Sequence, residues 1–355
     1  MLRAALRDLQ WRRKRFAITI VGTALVFAMS LLMSGLSNSF VVEIDRTLDT
    51  MAADRWVTRD DAAGAFSPGS FLTPTDLAVL TAPQAGVDDA APVVFGSAAA
   101  ETSPGDSANE VVNVTVFGVV PLGVGAPMSI VEGTAELGGG EVIVPRSLGK
   151  GVGDTLRVAG IDLVVTGVVD EASLLAGTPT VTVTVEQAQQ LLLGGQPLAS
   201  MVVFRGIPDV PTGYTAFTRA EARSDLLRPM QNPMRSIDFV KVLLWVVAAL
   251  IVASVVYLTV LERTRDFAVF KATGVGNAAI GAGICLQAVI VAVVASVLGI
   301  GLALLLAPFF PMNVEIGVSA MVTLPVLAVV VGIVSGLFGV VRTARVAPAT
   351  AFGGP

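Results

Sequence analysis

The sequence predicts an α-helical membrane protein with four transmembrane helices, plus an α+β extracytoplasmic domain inserted between helices 1 and 2. Three observations carry this reading. First, 54% of the 355 residues are hydrophobic and only 14% are charged, against roughly 25% charged in an average soluble domain. Second, four apolar stretches, at 16–36, 239–261, 278–307 and 319–341, are each long enough to cross roughly 30 Å of hydrocarbon, which takes about 20 helical residues. Lys241 is the one charged residue within them. Third, some 200 residues between the first two stretches carry dense turn signals and runs rich in valine and threonine.

The composition also excludes chemistry. The chain has no histidine, which rules out Ser-His hydrolases, HExxH zinc proteases and histidine phosphotransfer. Cys285 is the single cysteine, so no intrachain disulfide and no cysteine-based metal cluster can form. No G-x-x-x-x-G-K-[S/T] run occurs, so the chain is not itself a P-loop ATPase. No catalytic constellation and no metal site are visible, and the chain is read as a non-catalytic subunit. A net charge of −5 gives no reason to expect a nucleic-acid partner.

Taken in order, residues 1–15 alternate Leu2, Leu6, Leu9 and Trp11 with arginines. That pattern suits an amphipathic helix on the inner leaflet or a plain basic flank. The first span, 16–36, is longer than a signal-peptide core and lacks an A-x-A site, so it reads as an uncleaved anchor. Phe40, Val41, Ile44, Leu48 and Met51 continue its helical stripe. The domain at 37–238 holds 24 acidic and 11 basic residues. Its expected strands are 111–120, 141–144, 155–158, 162–169 and 180–185, and its expected helices are 186–193 and 218–227. Pro229 and Pro233 are expected to break the chain before the second span at 239–261. Gly151-Val152-Gly153-Asp154 matches the GxGD string of intramembrane proteases, but it lies between strands and reads as a tight turn. A cytoplasmic loop at 262–277, the third span at 278–307, a short outer loop at 308–318, the fourth span at 319–341 and a cytoplasmic tail at 342–355 follow.

Orientation comes from the basic flanks. Arg3, Arg7, Arg12, Arg13, Lys14 and Arg15 precede span 1. Arg263, Arg265 and Lys271 separate spans 2 and 3, and Arg342 and Arg345 follow span 4, while 308–318 carries only Glu315. Both termini are therefore expected in the cytoplasm of a multi-pass protein of the plasma membrane. Gln287 is expected to make an interhelical hydrogen bond. The small-residue spacings Gly332-x-x-x-Gly336 and Ser335-x-x-x-Gly339 favour close helix packing.

The loop Glu262-Arg263-Thr264-Arg265-Asp266-Phe267-Ala268-Val269-Phe270-Lys271-Ala272-Thr273-Gly274 reads as a short helix. Phe267 and Phe270 share a face, charges lie around the rest, and Gly274 serves as C-cap. It resembles the E-R-x-R-E-I-x-x-x-[R/K]-A-x-G motif of FtsX/MacB-type (type VII) ABC transporter permeases, at Glu262, Arg263, Arg265, Asp266, Phe267, Lys271, Ala272 and Gly274. The order of one span, a large insertion and three closing spans is similar to that family. So are the strand–turn–strand run at 141–169 and the ending Arg342-x-x-Arg345-x-x-Pro348-x-x-Ala351. The loop sequence and the terminal Ala-Phe-Gly-Gly-Pro look closest to actinobacterial members labelled as glutamine-transport permeases. Val275-Gly276-Asn277 departs from the basic residues usual after the loop glycine, and Ala347 replaces the tail's aspartate.

The resemblance implies a permease working by mechanotransmission, as a homodimer, or a heterodimer with a second permease, together with two ABC ATP-binding subunits. ATP and Mg would be bound by those partners, and no cofactor by this chain. Glu262, Arg263, Arg265, Asp266, Phe267, Phe270, Lys271 and Gly274 would form the coupling helix, with the two phenylalanines as anchors. Three activities fit: export or extraction of a lipid, lipoprotein or peptide; activation of an extracytoplasmic partner such as a cell-wall hydrolase; and amino-acid (glutamine) transport. The last should need a polar route that the spans do not offer.

Overall fold

The computed structural model describes residues 13–67, 69–102, 110–127, 129–310 and 314–344. The amphipathic helix expected at 1–15 lies outside the described residues up to position 12, as does the tail from 345 onward. The chain divides into two compact units: a membrane unit of Met1–Ser39 with Asn232–Pro355, and an inserted domain of Phe40–Gln231.

The membrane unit is built on α1 (Arg13–Met51), whose first two-thirds belong to it, with α5 (Gln231–Glu262), α6 (Thr264–Ala272), α7 (Asn277–Leu306) and α8 (Val318–Ala344). Four of these helical runs are long and apolar enough to cross a membrane. Their core joins Phe27, Ala28 and Leu31 of α1 to Ala248 of α5, Ala292 and Ala295 of α7, and Leu324 and Ala328 of α8. Lipid tails are as apolar as leucine, so helices in a bilayer associate through close packing of small residues. The α7–α8 contact shows this directly. A Cβ on Gly332 would stand 2.6 Å from Val289 Cα, and one on Gly336 would stand 2.7 Å from Cys285 Cα. Ser335, fully buried, donates to the Ala249 carbonyl at 2.9 Å and so ties α8 to α5. Where α1 leaves the membrane unit, Asn38 Nδ2 donates to the Glu315 carbonyl at 3.0 Å, and Ser39 Oγ accepts the Glu315 amide at 2.8 Å.

The inserted domain is α+β. Its strands are β1 (Arg55–Arg59), β2 (Val87–Glu101), β3 (Val111–Val119), β4 (Glu132–Gly133), β5 (Glu141–Pro145), β6 (Thr155–Val158), β7 (Ile161–Val169), β8 (Ser173–Leu174), β9 (Thr178–Thr184), β10 (Met201–Gly206) and β11 (Tyr214–Thr218). They form one mixed sheet ordered β11-β1-β10-β2-β3-β9-β5-β7-β4, with β6 on β2 and β7, and β8 on β9. Strand β2 changes partner along its length: 87–93 pairs with β10 and 94–101 with β3. Strand β10 is buried on both faces, as a run of consecutive apolar residues requires. Met201 and Val203 face the core containing Ile44, Leu48 and Met51 of α1, while Val202 and Phe204 face a core containing Leu72 and Leu80.

Three short helices cover the sheet: α2 (Pro74–Leu80), α3 (Val185–Leu193) and α4 (Arg219–Leu227). Thr73, Thr184 and Thr218 cap their N-termini, and Thr73 and Thr218 do so within capping boxes. Helix α3 lies so close to β3 that a Cβ on Gly118 would meet Ala188 Cβ at 2.3 Å. The GxGD string is a turn, with Gly153 at φ +92 and Asp154 Oδ2 accepting the Gly151 amide at 2.8 Å.

One expectation is corrected here. Pro233 does not break the chain before the second span, because α5 begins at Gln231 and Pro233 sits in its first turn. There the missing N–H has no helical partner to lose, and the fixed φ suits the helix. Pro229 lies in a 3-10 turn at Arg228–Met230, which connects α4 to α5 within one long helical run.

Candidate functional site: the loop helix between α5 and α7

Helix α6 fills the loop between the second and third long helices. Arg263 occupies its N-cap and Thr264 Oγ1 donates back to the Leu261 carbonyl at 2.7 Å. Asp266 in the first turn and Lys271 in the last complement the helix dipole. The end is closed by backbone bonds from Gly274 to the Lys271 carbonyl and from Val275 to the Phe270 carbonyl. Gly274 lies at φ +88, the left-handed conformation that favours glycine after a helix.

The two faces of α6 differ. Phe267 and Ala268 are buried, and Phe267 packs with Val252, Val256 and Val260 of α5 and Ile280 and Ile284 of α7. Val275 closes over the same cluster. The Arg263 guanidinium lies 5.8 Å from the Phe267 ring centroid and donates to Asp266 Oδ2 at 3.2 Å. On the outward face Glu262, Asp266, Val269, Phe270 and Thr273 follow helical spacing and are exposed. The expectation that both phenylalanines face outward therefore fails for Phe267, which enters an apolar niche between α5 and α7. Val269, 51% exposed, is an outward apolar residue that sequence reasoning did not single out, and it stands beside Phe270 at 38%. Its signal was available: Asp266, Val269, Phe270 and Thr273 follow the i, i+3, i+4, i+7 spacing of one helical face. Lys271 is half-buried, and Arg265 is part of α6. Among the described residues no cluster of acidic residues or cysteine could hold a metal ion.

Four membrane-length helices, a β-rich domain inserted after the first, and a short two-faced helix in the loop after the second define a multi-pass membrane protein. Residues 239–348 match the FtsX-like permease C-terminal family, and residues 16–211 match the MacB-like periplasmic core domain. An ABC transporter permease of Mycobacterium bovis is 46% identical over 361 residues, covering 100% of both chains. One from Mycobacterium tuberculosis is 45% identical over 356 residues, again covering 100% of both. The periplasmic region of MacB from Actinobacillus actinomycetemcomitans aligns at a TM-score of 0.37 and 11% identity, over 50% of this chain and 93% of that one. The chain belongs to the FtsX/MacB-type ABC transporter permeases.

Proposed function

We propose that this permease transmits force. An ABC ATP-binding subunit docks on the outward face of α6, and its ATP-driven closure moves α6, α5 and α7 together. The inserted domain, on the outer side of the plasma membrane, then performs the export or extraction of a lipid, lipoprotein or peptide. The observation that carries this reading is the two-sidedness of α6: Val269 and Phe270 point outward while Phe267 is wedged between α5 and α7. A helix fixed on one side and apolar on the other suits a coupling element, because exposed aromatic anchors dominate helix-in-groove contacts. The uncharged interiors of 16–36, 278–307 and 319–341 favour force over a polar route, since ion and proton paths use intramembrane ionisable groups.

In this reading both termini are cytoplasmic, and two copies of the chain assemble with two ATP-binding subunits that hold ATP and Mg. The test is co-purification of the ATP-binding subunit with full-length permease carrying Val269→Asp and Phe270→Ala. Loss of association from an inserted, folded permease is expected. Full association together with full ATP-driven activity would overturn the proposal.

A further inference from the structure

A cavity of about 360 Å³ lies within the membrane unit, between α1, α5 and α8. That volume is within the range of about 300–1,000 Å³ usual for ligand sites. Its lining follows one face of each helix: Ser30 and Ser34 on α1, Lys241 and Trp245 on α5, and Thr323 and Leu327 on α8. Trp245 Nε1 donates to Ser30 Oγ at 2.8 Å, which sets these two residues at one level. Lys241 lies one turn further toward the start of α5, and Ser34 one turn further toward the end of α1. The cavity thus holds Lys241 and Ser34 at one end, and Leu327 and Val330 line it further along α8.

The Lys241 end sits at a membrane surface. Lys241 precedes Glu262 by 21 residues on one continuous helix, about 31 Å of rise, which matches the hydrocarbon thickness. The Lys241 side chain is 18% exposed and pairs with Asp238 at 2.6 Å, while Asp238 is 62% exposed and one turn further out. An ammonium carries three donors, so Lys241 can hold Asp238 and a second anion together. On α5 the lysine is therefore the deeper and more buried member of the pair, and Asp238 the shallower and more exposed one.

We infer that this cavity binds a zwitterionic glycerophospholipid: its phosphate on Lys241, its headgroup ammonium toward Asp238, and the glycerol end of an acyl chain along Leu327 and Val330. The order of charges favours this occupant, because a phospholipid places its phosphate below its ammonium. A second copy of the chain would instead have to bury the Lys241–Asp238 pair against an apolar helix, and the desolvation of a buried ion pair can exceed its Coulombic gain. The site does not depend on the force-transmission reading, since it concerns neither α6 nor an ATP-binding subunit.

The test uses the full-length chain in mixed micelles containing equal phosphatidylethanolamine and phosphatidylglycerol, read by native mass spectrometry. Wild type should retain phosphatidylethanolamine in preference to phosphatidylglycerol. Lys241→Gln should lower retention about fivefold, the worth of one interfacial cation. Asp238→Asn, at an exposed position, should keep lipid binding but lose the preference. Thr323→Trp, which fills the cavity from an exposed position, should abolish retention. Equal retention across the four proteins, equal uptake of both lipids by wild type, or a photo-crosslinker at Val326 capturing a second copy of the chain would overturn the site.

Discussion

Phe267 and Phe270, one turn apart on α6, face opposite surroundings: Phe267 is 7% exposed within the α5–α7 cluster and Phe270 is 38% exposed on the outward face. The two substitutions to alanine should therefore separate. Phe267→Ala leaves a cavity in the chain's own packing and should cost about 3–5 kcal/mol of stability. Phe270→Ala should leave the melting temperature near wild type while weakening association with the ATP-binding subunit by up to about 1 kcal/mol, since only the exposed 38% of the residue remains for a partner to bury. Thermal unfolding in detergent, alongside co-purification, measures both. Equal thermal losses for the two variants would show that the faces are not distinct.

That contrast marks where the sequence was and was not legible. The spans stood out because lipid demands long uncharged runs. The strands at 111–119, 141–145, 155–158, 161–169 and 178–184 stood out because β-branched residues dominate them. Strand β2 was hidden: its fifteen residues, VDDAAPVVFGSAAAE, hold five alanines, one glycine and one proline, types that strands ordinarily disfavour. Its place comes from tertiary pairing with β10 and β3. Strands β1, β10 and β11 are short segments that pair across more than 140 residues of sequence, and no local pattern carries such a pairing. In α6 the motif located the helix, but which phenylalanine turns inward depends on the niche between α5 and α7, which spacing cannot show.

Orientation has a direct measurement. Asp88 on β2 is exposed in the inserted domain, so Asp88→Cys in a Cys285→Ala background should react with a membrane-impermeant maleimide in intact cells. A cysteine replacing Thr273, exposed at the end of α6, should react only after lysis. The reverse pattern would invert the topology and remove α6 from reach of a cytoplasmic ATPase.

The close approach of α7 and α8 predicts opposite outcomes for chemically identical substitutions. Gly332→Ala and Gly336→Ala place a methyl 2.6–2.7 Å from the α7 backbone, and overpacking of this kind costs about 1–3 kcal/mol each. Gly283 and Gly301, also helical, have no atom within 4 Å of an added Cβ. Alanine there should be neutral or stabilising by up to about 1 kcal/mol through helix propensity alone. Denaturant titration of the four single variants in one detergent decides this, and a uniform response would mean that α7 and α8 are not in close contact.

In the inserted domain, Asp76 predicts a stability plateau with a defined acid edge. Its carboxylate accepts Tyr214 Oη at 2.6 Å, the Thr73 amide and hydroxyl at 2.8 Å each, and Arg59 Nη1 at 3.2 Å. The Tyr214 hydrogen bond, with those from Thr73, holds Asp76 below its ordinary 3.8, and the same bond raises Tyr214 above its ordinary 10.0. The signs follow from linkage. A depressed acid contributes fully above its unfolded value and is lost as pH falls through its folded one. A raised phenol contributes fully below its unfolded value and is lost as pH rises through its folded one. Both contributions are therefore present from about pH 4 to about pH 10. The acid loss lies below that window and the alkaline loss above it. Trp56, fully buried on β1 of the same domain, reports unfolding once Trp11 and Trp245 are replaced by Phe. In that background Asp76→Asn should be less stable at pH 7 and should flatten the acid limb. Tyr214→Phe should remove most of the alkaline limb and part of the acid one. An acid limb that survives unchanged in Asp76→Asn would assign it to other carboxylates.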